Sequence, residues 1–233
     1  MAFFGGSFDP PHLGHLAVAR AARKALRLDR ILFAPVGAQP LKPEGSTAPF
    51  PARLAMTELA IAGEAGFEVS LLDAPGTGGE PNYTLDTLRA LRAGLPGEGC
   101  LFCLMGADSF AGLRRWRGAE EIPFAAALIV ASRPGQQLND LARFLPQGVA
   151  VAREEQALEQ EHRGGVDLRC YMLRNDAGDS APFYLLPGLD VEISASEIRE
   201  QIRSSEGELA AARSVPAQVA DYIREQGLYR SDR

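Results

Sequence analysis

Cysteine, histidine and tryptophan are scarce: 233 residues hold three, three and one of them. So few cysteines fit a reduced setting rather than a secreted, cross-linked one. The pair in "CLFC", Cys100 and Cys103, would point to opposite faces of a strand, so both are expected to be buried structural residues rather than a redox or metal pair. No apolar run is long enough to span a bilayer and no stretch resembles a signal peptide, which points to a cytoplasmic protein with no membrane partner. An excess of positive charge is missing too, since Lys and Arg number 24 against 30 Asp and Glu, for a net charge of -6. This argues against broad nucleic-acid binding but leaves room for a small anion in a local basic pocket. Two phosphate signatures are absent as well: the Gly-Lys-Ser/Thr ending of a P-loop and the Gly-x-Gly-x-x-Gly dinucleotide fingerprint. Repeats and low-complexity tracts do not occur.

What is present is ample apolar content, 46%, enough for the core of a single domain spanning 1–233. Short apolar runs at 1–4, 30–36, 67–73, 100–106 and 126–132 read as strands. Between them, 13–26, 50–63 and 83–94 carry apolar residues at helical spacing. The resulting βαβαβαβ order predicts an α/β fold: a doubly wound, Rossmann-like parallel sheet with helices on both faces and ligands at the carboxyl ends of its strands. Residues 136–182, with charged clusters such as "AREEQALEQEHRGG", read as a less regular peripheral insertion, either a surface elaboration or a contact in a homo-oligomer. Residues 194–233 read as a small C-terminal helical part, its last helix closed by Gly227.

The first strand runs into "GGSFDPPHLGHLAVAR", residues 5–20. Gly5 and Gly6 are expected to take positive φ and let successive N-H groups face phosphate oxygens. His12 and His15, three apart at a helix start, share one face, and Gly14 between them leaves room for a flat base or sugar. An anion there would meet helix N-H groups and two imidazoles. A glycine turn with two core or capping histidines is the plainer alternative. Zinc would need further ligands nearby, so no metal site is expected. A second candidate is "EISASEIREQI", 192–202, where Ser194 and Glu197 form a capping box and Arg199, with Ser196, is placed to clamp a phosphate tail. Thr84 reads as a helix N-cap.

The string "GGSFDPPHLGHL" resembles the opening of the bacterial nicotinate-mononucleotide adenylyltransferases, within the His-x-Gly-His nucleotidyltransferases. Further stretches resemble the same family: "ISASEIR", "PNYTLDTLRAL", "MGADSFAGLRRW", "SRPG" and the ending "YIREQGLY". The resemblance implies transfer of an adenylyl group from ATP to nicotinate mononucleotide, with magnesium arriving on the ATP. It implies His12, His15, Lys42 and Arg199 as catalytic residues. Gly5, Gly6, Ser7, Phe8, His15, Gly106, Asp108, Arg133, Ile193, Ser194, Ser196 and Arg199 are implied to bind ATP, with Asp108 at a ribose and the stretch at Arg133 by the adenine. Lys42, Tyr83, Thr84, Trp116 and Arg117 are implied to bind the mononucleotide, Thr84 at the pyridine carboxylate and Trp116 stacked on the ring. One departure stands out: relatives commonly read Pro-Pro-His-Lys where this chain has "QPLK", with Leu41 at the histidine position. Two rivals remain, a sibling transferase acting on the amide or another phosphorylated acceptor, and a non-catalytic nucleotide-binding regulator.

Overall fold

In the computed structural model the described residues are 1–41, 45–97, 99–132, 141–152, 158–189, 193–204 and 208–230. The apolar runs form β1 (Ala2–Gly6), β2 (Ile31–Pro35), β3 (Phe67–Val69), β4 (Phe102–Gly106) and β5 (Ala127–Ala131). Among them come α1 (Leu13–Leu26), α2 (Phe50–Ile61), α3 (Thr84–Ala93) and the short α4 (Ala107–Ala111) and α5 (Ile122–Ala125). Four further strands follow: β6 (Val149–Val151), β7 (Leu158–Arg163), β8 (Val166–Asn175) and β9 (Ser180–Leu186). The sheet order is β3-β2-β1-β4-β5-β9-β8-β6, with β7 also paired to β8. Pairs β1–β4, β4–β5 and β5–β9 are parallel. All five residues of β2 are buried, which is why its sequence is an unbroken apolar run. The α/β fold with a largely parallel sheet matches the expectation.

Three local readings are corrected. Strand β3 stops at Val69 rather than running to residue 73, because a turn takes the chain out of the sheet: Ser70 Oγ accepts the Leu72 N-H at 3.3 Å and Leu71 O accepts the Ala74 N-H at 3.0 Å. Cys103 is buried as expected, but Cys100 is exposed because β4 begins only at Phe102. The stretch 136–182 contains β6, β7, β8 and the start of β9, with β8 antiparallel to each of the other three. Antiparallel strands with one wetter face carry polar residues at alternate positions, and that alternation reads as irregularity when an unbroken apolar run is sought. Along β9, Ala181, Phe183 and Leu185 are buried with less buried residues between them.

Internal contacts group the chain into two units, the first comprising Met1–Phe4, Val18–Ile31 and Tyr83–Asp190, the second Gly5–Ala17, Leu32–Asn82 and Val191–Arg233. The core of the first includes Phe110 and Phe183, both fully buried with ring centroids 5.3 Å apart. In the second, α2 packs with α6 (Ala195–Arg203), α7 (Glu208–Ser214) and α8 (Ala217–Glu225). Four-residue spacing puts Ala52, Met56 and Ala60 on one stripe of α2, and the same spacing aligns Ile198 with Ile202 and Val219 with Ile223. Full burial of a side chain such as Met56 contributes about 1.5–3 kcal/mol. Among the described residues no helix is long and apolar enough to cross a membrane.

Helix α8 ends as its sequence predicts. Gly227 takes φ +63°, its N-H reaches Arg224 O at 3.3 Å, and the Leu228 N-H reaches Ile223 O at 3.0 Å. An alanine at Gly227 would have to hold the left-handed conformation against its Cβ, so Gly227→Ala should lower stability by about 1–2 kcal/mol, measured as a drop in the urea midpoint at unchanged slope.

Candidate active site

The carboxyl end of β1 leads into the glycine loop of the second unit. Gly6 O accepts the Val36 N-H at 3.0 Å, which ties the loop to the residue following β2. Neither Gly5 nor Gly6 takes a positive φ, contrary to expectation; Phe8 does, at +47°. Gly6 serves close approach instead, since a Cβ there would lie 3.3 Å from Phe8 Cζ. The Phe8 ring is buried, with centroids 4.9 Å from His15 and 5.6 Å from Phe33.

His12 and His15 meet as their spacing predicts, with ring centroids 3.7 Å apart. The His12 backbone N-H donates to His15 Nδ1 at 3.1 Å. That bond needs Nδ1 as an acceptor, so a neutral His15 carries its proton on Nε2. Desolvation, reinforced by repulsion from His12, pulls the His15 pKa well below its ordinary 6.5 and keeps the ring neutral. The result is a neutral N-H donor of fixed tautomer at a helix start.

Arg199, in the middle of α6, is tied to this loop: Nη1 donates to Asp9 O at 2.6 Å and Nη2 to Ser196 Oγ at 3.2 Å. Ser194 is the N-cap of α6 by backbone but makes no capping hydrogen bond through its side chain, so the expected capping box is not formed. Ile193 is partly buried against the helical core. Ser7 Oγ accepts from Gln39 Nε2 at 2.8 Å.

Two buried ions that the sequence did not single out hold the loop from beneath. Arg53 of α2 is 2% exposed and donates to three backbone carbonyls, those of Ser7 at 2.6 Å, Val36 at 2.8 Å and Ala48 at 3.1 Å. Burial lowers its pKa, and the nearby Asp9 works against that shift. Asp9 accepts the N-H groups of Thr47 at 2.6 Å and Ala48 at 3.1 Å and the Tyr229 hydroxyl at 2.7 Å. In the sequence Asp9 lies inside the glycine-histidine string and Tyr229 inside "YIREQGLY".

The residues expected at the pyridine ring lie in the first unit. Tyr83, not Thr84, is the N-cap of α3; Thr84 is the first helical residue. The Arg117 guanidinium lies 4.5 Å from the Tyr83 ring centroid, and its Nη1 is 3.4 Å from Asp86 Oδ2. Trp116 follows a 3-10 turn at Leu113–Arg115 and is only partly buried, flanked by exposed Arg115 and Arg117, so it is not a core tryptophan. Gly106 ends β4 and caps α4, whose first turn carries the exposed Asp108. Lys42 and Arg133 lie outside the described residues; Leu41 is 48% exposed. A groove of about 740 Å³ elsewhere in this unit, lined by Leu85, Arg89, Phe124 and Asp176 among others, contains none of the expected site residues. Among the described residues no group of three or more His, Cys, Asp or Glu side chains is placed to hold a metal ion.

Over residues 3–201 the chain matches the family described as cytidylyltransferase-like. It belongs to that family. A probable nicotinate-nucleotide adenylyltransferase of Geobacter metallireducens is 35% identical to it over 231 residues, covering 98% of this chain and 97% of the relative. Another, from Citrifermentans bemidjiense, is 36% identical over 229 residues with the same coverage, 98% and 97%. Among solved structures, Plasmodium falciparum nicotinic acid mononucleotide adenylyltransferase complexed with APC is similar with a TM-score of 0.68 at 16% identity, covering 98% of this chain and 96% of that one. The same enzyme complexed with NaAD gives 0.69 at 17% identity. At such identities the likeness is one of fold.

The depressed pKa of His15 has a consequence for this family member's acid stability. The unfolded chain takes up a proton at that histidine before the folded chain does, so the stability linked to neutral His15 is complete above about pH 6.5 and is lost as pH falls toward the folded value. Thermal-unfolding midpoints followed from about pH 7.5 to about pH 5 should therefore fall less in His15→Gln than in the wild type.

Proposed function

We propose that this cytidylyltransferase-like protein is a nicotinate-nucleotide adenylyltransferase, transferring the adenylyl group of ATP to nicotinate mononucleotide to give nicotinate adenine dinucleotide and pyrophosphate, a step in NAD biosynthesis. Supporting this are relatives matched over 98% of the chain that carry that activity in their names. The observation that carries it is the neutral, tautomer-fixed His15 at the start of α1, directly after the loop whose Asp9 carbonyl holds Arg199. A cytoplasmic setting accords with three free cysteines.

A 5'-phosphate oxygen of the mononucleotide attacks the α-phosphorus in line as the bond from that phosphorus to the bridging oxygen of the leaving pyrophosphate breaks. The nucleophile is already an anion, so the protein's task is positioning and charge stabilisation rather than proton removal. His15 donates its Nε2-H to a phosphate oxygen, assisted by His12 and Lys42. Arg199, Ser194 and Ser196 hold the triphosphate with the first N-H groups of α6. Gly5, Gly6, Ser7 and Phe8 shape the loop against the nucleotide, Asp108 and Gly106 take the ribose, and Ile193 and Arg133 contribute to the ATP site. Tyr83, Thr84, Trp116 and Arg117 bind the acceptor with Lys42. Magnesium carried on the triphosphate would offset its charge. Donors rather than carboxylates line this phosphate site, with Asp9 engaged by Thr47, Ala48 and Tyr229, which fits an ion held by the phosphates themselves.

Removal of one donor to developing charge costs about 10²-fold in rate. His15→Ala should accordingly lower kcat by that factor with the fold retained by circular dichroism, and Arg199→Ala should chiefly raise KM for ATP. A His15→Ala enzyme with normal turnover in a pyrophosphate-release assay would sink the mechanism.

The acid acceptor should be preferred over its amide. At the start of α3 the pyridine carboxylate meets the Thr84 hydroxyl and backbone N-H groups, which favour an anion, while Arg117 offsets the acidic Asp86. An amide must turn its NH₂ toward at least one group that can only donate, leaving a buried donor unpaired at about 1–3 kcal/mol. The kcat/KM ratio of acid to amide should be at least about tenfold, and Trp116→Ala should weaken either mononucleotide much more than ATP. A ratio near one would assign the chain to a transferase that accepts the amide.

A further inference from the structure

Asp9 works in two directions. The residue is 3% exposed, and its side chain accepts hydrogen bonds from Thr47 and Ala48 N-H and from the Tyr229 hydroxyl, the last across 220 positions of sequence. Its own backbone carbonyl, in turn, accepts the 2.6 Å bond from Arg199 Nη1. Whatever fixes the Asp9 side chain therefore also fixes the carbonyl that aims the guanidinium.

Tyr229 reaches this point by a specific route. The left-handed Gly227 stops α8, and Tyr229 itself takes φ +65°, which brings its ring into the cluster formed by α2, α6, α7 and α8. A phenylalanine would fill the same apolar space, so packing alone has no use for the oxygen. Burial and the Asp9 carboxylate push the phenol pKa far up, keeping the hydroxyl a donor. Arg53 does not substitute for it, since its hydrogen bonds go to the carbonyls of Ser7, Val36 and Ala48.

We infer that Tyr229 and Asp9 are a positioning pair: the tail hydroxyl locks the Asp9 carboxylate, and through the Asp9 backbone it orients Arg199 for the triphosphate of ATP. The inference rests on the reading of Arg199 as a phosphate ligand. Neither residue of the pair touches substrate; both act through Arg199.

The test is ATP affinity by calorimetry, without acceptor, in the wild type, Tyr229→Phe, Arg199→Ala and the double variant. Tyr229→Phe should weaken ATP about fivefold to tenfold beside an intact Arg199, and less than about twofold in the Arg199→Ala background. Equal losses in both backgrounds, or no loss in Tyr229→Phe, would make the hydroxyl merely structural and overturn the inference while leaving the proposed function intact. A wild-type chain that binds no ATP would overturn both, and by a different observation. Should Tyr229→Phe fail to fold, Asp9→Asn in the same two backgrounds is read by the same criterion.

Discussion

A carboxylate removed from water must find donors for its oxygens, and in the second unit that requirement is met by three groups from two distant parts of the chain. Asp9 draws the Thr47–Ala48 turn and the tail at Tyr229 onto the loop that follows β1. A buried ion stripped of its partners costs several kcal/mol, so these attachments are held together as a set rather than one at a time. Arg53 does the same with opposite charge, gathering the carbonyls of Ser7, Val36 and Ala48 around one planar guanidinium. Ala48 is bonded through its N-H to Asp9 and through its carbonyl to Arg53, so the two ions share a strut.

This foundation permits strain in the loop above it. Phe8 holds φ +47°, a region costing a bulky residue about 1–2 kcal/mol. Ring packing against His15 and Phe33, with Gly6 yielding space, offsets that cost. The same crowding desolvates His15, and the His12 N-H on Nδ1 fixes which nitrogen bears the proton. Strain, desolvation and tautomer thus follow from one packing arrangement, on the loop and helix start proposed to hold the phosphates.

Much of this framework is made with backbone acceptors. Arg53 and Arg199 bond to carbonyls of Ser7, Val36, Ala48 and Asp9, and a carbonyl places no demand on the side chain beside it. A fold held in this way is compatible with the 16% identity at which the Plasmodium enzyme still superposes with a TM-score of 0.68. Leu41 is 48% exposed, so its side chain lies outside that framework.

Local pattern was enough for the strands β1, β2, β4 and β5, for α1, α2 and α3, and for the meeting of His12 with His15, because each depends on residues only a few positions apart. The Gly164-Gly165 pair is a further local signal: both residues take positive φ between paired Arg163 and Val166 and form the two-residue turn that joins β7 to β8. Tertiary structure alone decided the rest. That Phe8 rather than Gly5 or Gly6 takes the left-handed conformation depends on the ring partners that hold it. That Ser194 leaves its cap unmade, that Cys100 is exposed, and that Asp9 selects Tyr229 depend on which surfaces the fold brings together. Periodicity and capping are properties of neighbouring residues, whereas a buried ion's partners are set by the three-dimensional path of the whole chain, and no spacing along the sequence encodes that path.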